Sequence, residues 1–141
     1  MDTKKFTIGT LVGGIAYFIL GYLIFGLALN GFFKDHANPS SPMKAMADIV
    51  WWALILGNLA GAALLSWIIL KLGNVNSFGS GARIGLALGF FVSLGTNMIT
   101  YATSNMMDMT GALVDVVMSA ILAAIVGGII AVVIGGQKKV A

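Results

Sequence analysis

No cysteine occurs in the chain, which excludes disulfides, thiolate metal sites and cysteine nucleophiles while leaving the redox compartment open. Charge is nearly as scarce. Only 9% of residues are charged, against 59% hydrophobic, and the mean hydropathy is +0.99. A water-soluble domain carries about a quarter of its residues as charges, so that class is excluded. Alternation of period two, the mark of membrane β-barrel strands, is missing too. No nucleophile, base and orienting group recur together, and neither a phosphate loop nor a zinc spacing is present. The run "GSGARIG" from Gly79 lacks the strand and the spacing of a dinucleotide fingerprint. These absences argue against an enzyme, and neither a cofactor nor a metal is expected.

What is present is apolar sequence in blocks near 7–33, 47–70, 84–103 and 111–135. Each has the length a bilayer demands, about 20 residues at a rise of 1.5 Å across roughly 30 Å of hydrocarbon. The fold class expected is an all-α integral membrane protein, a single domain over 1–141, with helices at about 7–33, 42–71, 82–103 and 109–136. The first block follows "MDTKK", but its apolar run is far longer than the 7–15 residues of a signal-peptide core, so it is kept as a span. Ser41 and Pro42 fit an N-cap and a first-turn proline, which would start the second helix before the membrane.

The formal charge of +3 would point to nucleic acid in a soluble chain. Here the partition of charge between loops has a simpler reading. With four spans, Lys4, Lys5, Lys71, Arg83, Lys138 and Lys139 fall on one side, and only Lys34 and Lys44 fall on the other, beside Asp35, Asp48 and Asp108. Cytoplasmic loops carry the excess of Lys and Arg. Both termini and the 71–83 loop are therefore expected in the cytoplasm, giving an up-down four-helix bundle, and no nucleic-acid partner is expected. Phe32, Phe33, Trp51, Trp52 and Tyr101 would lie near the outer boundary, with Phe6, Trp67 and Phe78 near the inner one.

Helix association in lipid depends on close backbone approach at small residues and on a few interhelical hydrogen bonds. The four-residue spacings Gly9–Gly13, Gly57–Gly61 and Gly81–Gly85–Gly89 supply such faces, as do Ala120 and Ala124. With so many small faces, a second copy or another membrane protein is an expected partner beside the lipid itself.

Polar residues form a seam. At 100° per residue Ser93, Asn97, Thr100 and Ser104 share an arc of about 60°, and Asp108, Asp115 and Ser119 share one of about 40°. In a hairpin of the last two helices, Asn97 lies about 9 Å below the outer end of one and Asp115 about 6–7 Å below the start of the other, so the two can meet. Asn58 on the second helix and Tyr17 or Tyr22 on the first would close the ring. A lipid-facing aspartate costs about 3 kcal/mol near a helix centre, which turns Asp115 inward. Two readings stay open: interhelical glue, or a pocket open to the outside that binds a small polar solute or cation, or accepts a proton.

Other candidates are weaker. His36, the single histidine, sits in a polar loop, and Asp35 and Asp108 read as solvated loop charges whose spacing matches no calcium loop. Asp48 reads as an interfacial charge near the start of the second helix. Met106, Met107 and Met109 read as apolar filling rather than a soft-metal trap.

The segments "LGNLAG", "YATSNMMDMTGALVDVV" and "AIVGG" together resemble a group of small bacterial four-span membrane proteins catalogued as a domain of unknown function. The resemblance implies a bacterial inner membrane and a recurrent asparagine and aspartate in the last hairpin, and it brings no activity. The leading expectation is a non-enzymatic protein acting through helix contacts, as a homo-oligomer or accessory subunit. The alternative is a minimal carrier or channel with its polar site in the outer half of the bundle.

Overall fold

The computed structural model describes residues 1–40 and 44–136. Its elements are α1 (Thr3–Gly21), which widens into a π-helical stretch at Tyr22–Ala28, then α2 (Asn30–His36), a 3-10 turn at Met46–Asp48, α3 (Trp51–Leu72), α4 (Phe78–Thr103) and α5 (Met109–Gly135). Among the described residues there is no strand, only an isolated bridge between Ala37 and Met107. Four helical segments, Thr3–Ala28 and the whole of α3, α4 and α5, are long and apolar enough to cross a membrane. The chain has the build of a multi-pass membrane protein.

Two expected boundaries move. The first helix, read as continuous over 7–33, changes register: the Leu29 N–H donates to the Ile24 carbonyl at 2.9 Å, five residues back, and Leu29 leaves helical geometry at φ −108°, ψ 6°. Asn30 Nδ2 then takes the Gly26 carbonyl at 3.1 Å. A π-bulge lets carbonyls lose their usual partner, and Asn30 supplies a substitute. The expected helix over 42–71 starts instead at Trp51. Ser41 and Pro42 lie outside the described residues, while Ala45 and Ile49 on either side of the 3-10 turn are extended.

Two close antiparallel pairs build the bundle. In the first, α1 lies on α3: a Cβ at Gly9 would come within 2.6 Å of Ser66 Oγ, at Gly13 within 3.0 Å of Ala62, and at Gly14 within 2.6 Å of Leu59. In the second, α4 lies on α5: a Cβ at Gly81 or Gly85 would fall on the Gly127 or Ala123 carbonyl, and at Gly89 would meet Ala123 Cβ at 2.5 Å. The pairs join where α1 also packs on α5, Gly9 against Ile134 and Gly13 against Ile130. Leu65, Ile69, Val126, Ile130 and Ile134 form the core between them. By contrast α3 and α4 barely touch.

That gap corrects the role given to Gly57 and Gly61. A Cβ at Gly57 meets nothing within 4 Å, and one at Gly61 meets only the Tyr17 ring at 3.6 Å. The reason is rotational. α3 buries Ala62, Leu65, Ser66 and Ile69, a row of helical spacing set against α1, and this turns the glycine row toward the side of α4. Phe33, expected as a boundary anchor, is instead buried at 3% exposure, packed on Phe25 and Phe32 at ring separations of 5.6 and 5.4 Å. The turn after α3 is fixed by Gly73, whose φ of +73° suits a residue without a Cβ.

Candidate functional site

The α4–α5 hairpin sets the depth of the polar residues. Asp108 caps α5, its Oδ1 accepting from the Gly111 N–H at 2.7 Å, and its Oδ2 lies 2.6 Å from His36 Nδ1. The cap N–H and the His36 hydrogen bond hold the Asp108 carboxyl below the ordinary carboxylate range, the Gly111 contact being the larger cause. Backbone bonds from Asn38 N–H to Met106 and from Asp108 N–H to His36, at 2.9 and 3.0 Å, tie the end of α2 to the hairpin. Neither Asp108 nor His36 is a free loop charge. The cue was available in "DMTG", an aspartate three residues before the amide it caps.

Asp115 lies six residues past the start of α5 at Met109, and Asn97 six residues before the end of α4 at Thr103, each roughly 9 Å in from its helix end. They meet. Asn97 Nδ2 donates to Asp115 Oδ2 at 2.6 Å, and Ser93 Oγ donates to the same oxygen at 3.3 Å. Asn97 Nδ2 also reaches the Ser93 carbonyl at 3.0 Å and Oγ at 3.1 Å. A half-buried carboxylate is thus held on one oxygen by two neighbours from the facing helix. The Asn97 bond is the short one and, with the longer Ser93 contact, fixes the side chain. Asp115 Oδ1 has no hydrogen bond among the described residues.

The space left by the α3–α4 gap is a cleft of about 360 Å³, open to the outside of the bundle, with Asp115, Ser93, Ser119 and Asn58 in its wall. Asn97 supports Asp115 without lining the space. Thr100 is exposed and takes no part; its carbonyl accepts from the Ser104 hydroxyl at 2.8 Å. At that height the face of α5 is covered by Met107 and His36, which crowd Gly111, so the polar arc of α4 has nothing to meet. Of the two tyrosines proposed to close the ring, Tyr17 lines the cleft and Tyr22 does not.

Sequence reasoning missed Thr96, one helical turn from Ser93, and the bare wall made by Gly57 and Gly61. The glycine spacing was visible, but spacing alone does not distinguish a contact from a vacant face. Among the described residues no group of three His, Asp or Glu side chains gathers to hold a metal ion. Comparison with known proteins finds no family model, no curated protein and no solved structure that matches the chain.

Proposed function

We propose that the chain works as a minimal carrier or channel of a bacterial inner membrane, with both termini cytoplasmic, and that a small solute, cation or proton binds in its α3–α4 cleft. One observation carries the reading: a carboxylate fixed on one oxygen and unbonded on the other, at the wall of an open cleft of about 360 Å³. Intramembrane acids mark ion and proton paths more often than they mark passive packing. The orientation rests on the loop charges, six basic residues against two, of which Lys138 and Lys139 lie outside the described residues.

The absence of cysteine makes a direct test simple. A Ser119→Cys chain in right-side-out vesicles should react with an impermeant thiol reagent, and Asp115→Asn should abolish flux in proteoliposomes without preventing assembly. Wild-type flux in Asp115→Asn vesicles at every pH would sink the coupling role of this residue.

A second reading is supported by the unpaired Gly57 and Gly61 wall: the protein acts through helix contacts, as a homo-oligomer or accessory subunit, and a partner helix fills the gap. Native mass spectrometry of protein gently extracted from its host membrane separates the two. A reproducible second polypeptide supports the accessory role, whereas a lone monomer argues for the solute site.

A further inference from the structure

We infer that the cleft is selective for a small organic cation bearing N–H groups, such as a short alkylammonium, over neutral or anionic molecules of the same shape. The inference rests on the cleft being a solute site and adds its chemical class. The argument is an inventory of hydrogens. Asn58 commits one of its two Nδ2 hydrogens to the Leu54 carbonyl at 2.7 Å, which leaves one N–H and the amide oxygen. Thr96 directs its one hydroxyl hydrogen at the Val92 and Ser93 carbonyls, at 3.0 and 3.1 Å. Ser93 gives its hydrogen to Asp115, and that bond holds Oδ2 alone.

What faces the cleft is therefore a surplus of acceptors: the second oxygen of Asp115, the Asn58 amide oxygen and the lone pairs of Thr96. The donors are the second Asn58 N–H and the hydroxyls of Ser119 and Tyr17, and each hydroxyl can equally accept. An anion would meet the Asp115 carboxyl, the one acidic side chain in this wall. A primary ammonium brings three donors and no acceptor, the complement of this lining.

The remaining wall agrees. Tyr17 lies over Gly61, its ring 3.6 Å from where a Cβ would stand, and its hydroxyl oxygen can accept from a guest's N–H. Gly57 and Gly61 leave α3 without side chains at the opening, so a short alkyl chain can lie against its backbone. The volume of about 360 Å³ is at the small end of the roughly 300–1,000 Å³ that small-molecule sites occupy, so a small guest fits. A divalent ion is poorly matched, because calcium takes about six to eight oxygen ligands and a single carboxylate faces this space.

The test uses the purified full-length chain in nonionic detergent and three probes of one shape: n-butylammonium, butyramide and butyrate. Isothermal titration calorimetry on the wild type should show saturable butylammonium binding, butyramide at least tenfold weaker and butyrate absent. Asp115→Asn should lose at least tenfold for the cation. Gly57→Leu, whose added side chain has open space in the protein, should stay folded and lose binding by filling the cleft. Equal affinity for the amide or the carboxylate, or an undiminished cation affinity in Asp115→Asn, overturns the cation assignment. If those probes still bind the wild type and Gly57→Leu still blocks them, the cleft stands as a solute site and only its charge preference falls. If none of the three binds the wild type, both the inference and the solute-site reading fall.

Discussion

The same chemical change at two glycines should have opposite consequences. At Gly85 a methyl group would fall on the Ala123 carbonyl oxygen and lie 2.7 Å from the carbonyl carbon and 3.0 Å from Ala124 Cα. These are backbone atoms, so no rotamer relieves the clash. α4 must move off α5 by about 1 Å or more to clear the carbonyl oxygen and restore carbon contacts of roughly 3.5 Å. Overpacking of this kind costs about 1–3 kcal/mol, and it offsets the gain of up to about 1 kcal/mol that alanine brings to a helix. At Gly57 the methyl meets nothing within 4 Å, so only the gain applies. Gly85→Ala should therefore destabilise the fold and Gly57→Ala should leave it unchanged or slightly firmer, a separation of about 1–3 kcal/mol between them, since the helix gain is common to both. Reversible unfolding in mixed micelles of increasing SDS content measures both. A Gly85→Ala protein as stable as wild type, or a Gly57→Ala protein equally damaged, would refute the assignment of the first glycine to an interface and the second to a gap.

Three further outcomes are expected. Asn97→Ala removes the 2.6 Å bond to Asp115 and should lower stability by about 0.6 kcal/mol, as interhelical hydrogen bonds in membranes average; in the same micelle titration, a loss above about 2 kcal/mol would mean that Asn97 does more than position the acid. The Asp108 carboxyl is held below its ordinary range by the Gly111 N–H and by His36, so its contribution is full above the unfolded value near about 4 and is lost as pH falls through the lowered folded value. The thermal stability difference between wild type and Asp108→Ala should accordingly shrink on strong acidification, and a difference that grows there is the contrary result. Asn76→Cys and Met106→Cys, in the two loops at opposite ends of α4, should label from opposite faces of sealed vesicles, with Met106→Cys reacting from the outside; the reverse pattern would overturn the orientation read from the loop charges.

Much of the architecture was legible because lipid imposes few choices. Four long apolar runs in a chain with 9% charge have one economical use, and the meeting of Asn97 with Asp115 followed from similar depths below the ends of a hairpin. The failures have physical causes too. The π-helical turn at Tyr22–Ala28 was hidden because hydropathy is uniform through that run, and a change of register leaves no mark on a pattern without polar residues. Gly57 and Gly61 carried the spacing of a packing face and are vacant, since periodicity gives the direction of a row and not the presence of a neighbour. Thr100 shared the arc of Asn97 and found no partner, because Met107 and His36, at the end of α2, cover the face of α5 at that height.

The gap between α3 and α4 follows from where the tight contacts are. Gly9 and Gly13 draw α1 onto both α3 and α5, while Gly81, Gly85 and Gly89 draw α4 onto α5; among the described residues none of the atoms nearest a Cβ on the glycines of α3 or α4 belongs to the other of these two helices. In water the exposed flanks would be driven together, but in lipid there is no such force between apolar helices, so an edge without its own contacts stays apart. The residues along that edge are not the ones lipid would select. Asn58, Ser93, Thr96 and Asp115 all face it, and an acyl chain lying there would leave the free Asp115 oxygen without a hydrogen bond, a state that costs several kcal/mol in a hydrocarbon environment. A guest with donors completes the bonding of that oxygen and disturbs no packed interface. Binding at this edge is thereby separable from folding, which is why a side chain added at Gly57 should close the cleft while the two helix pairs hold.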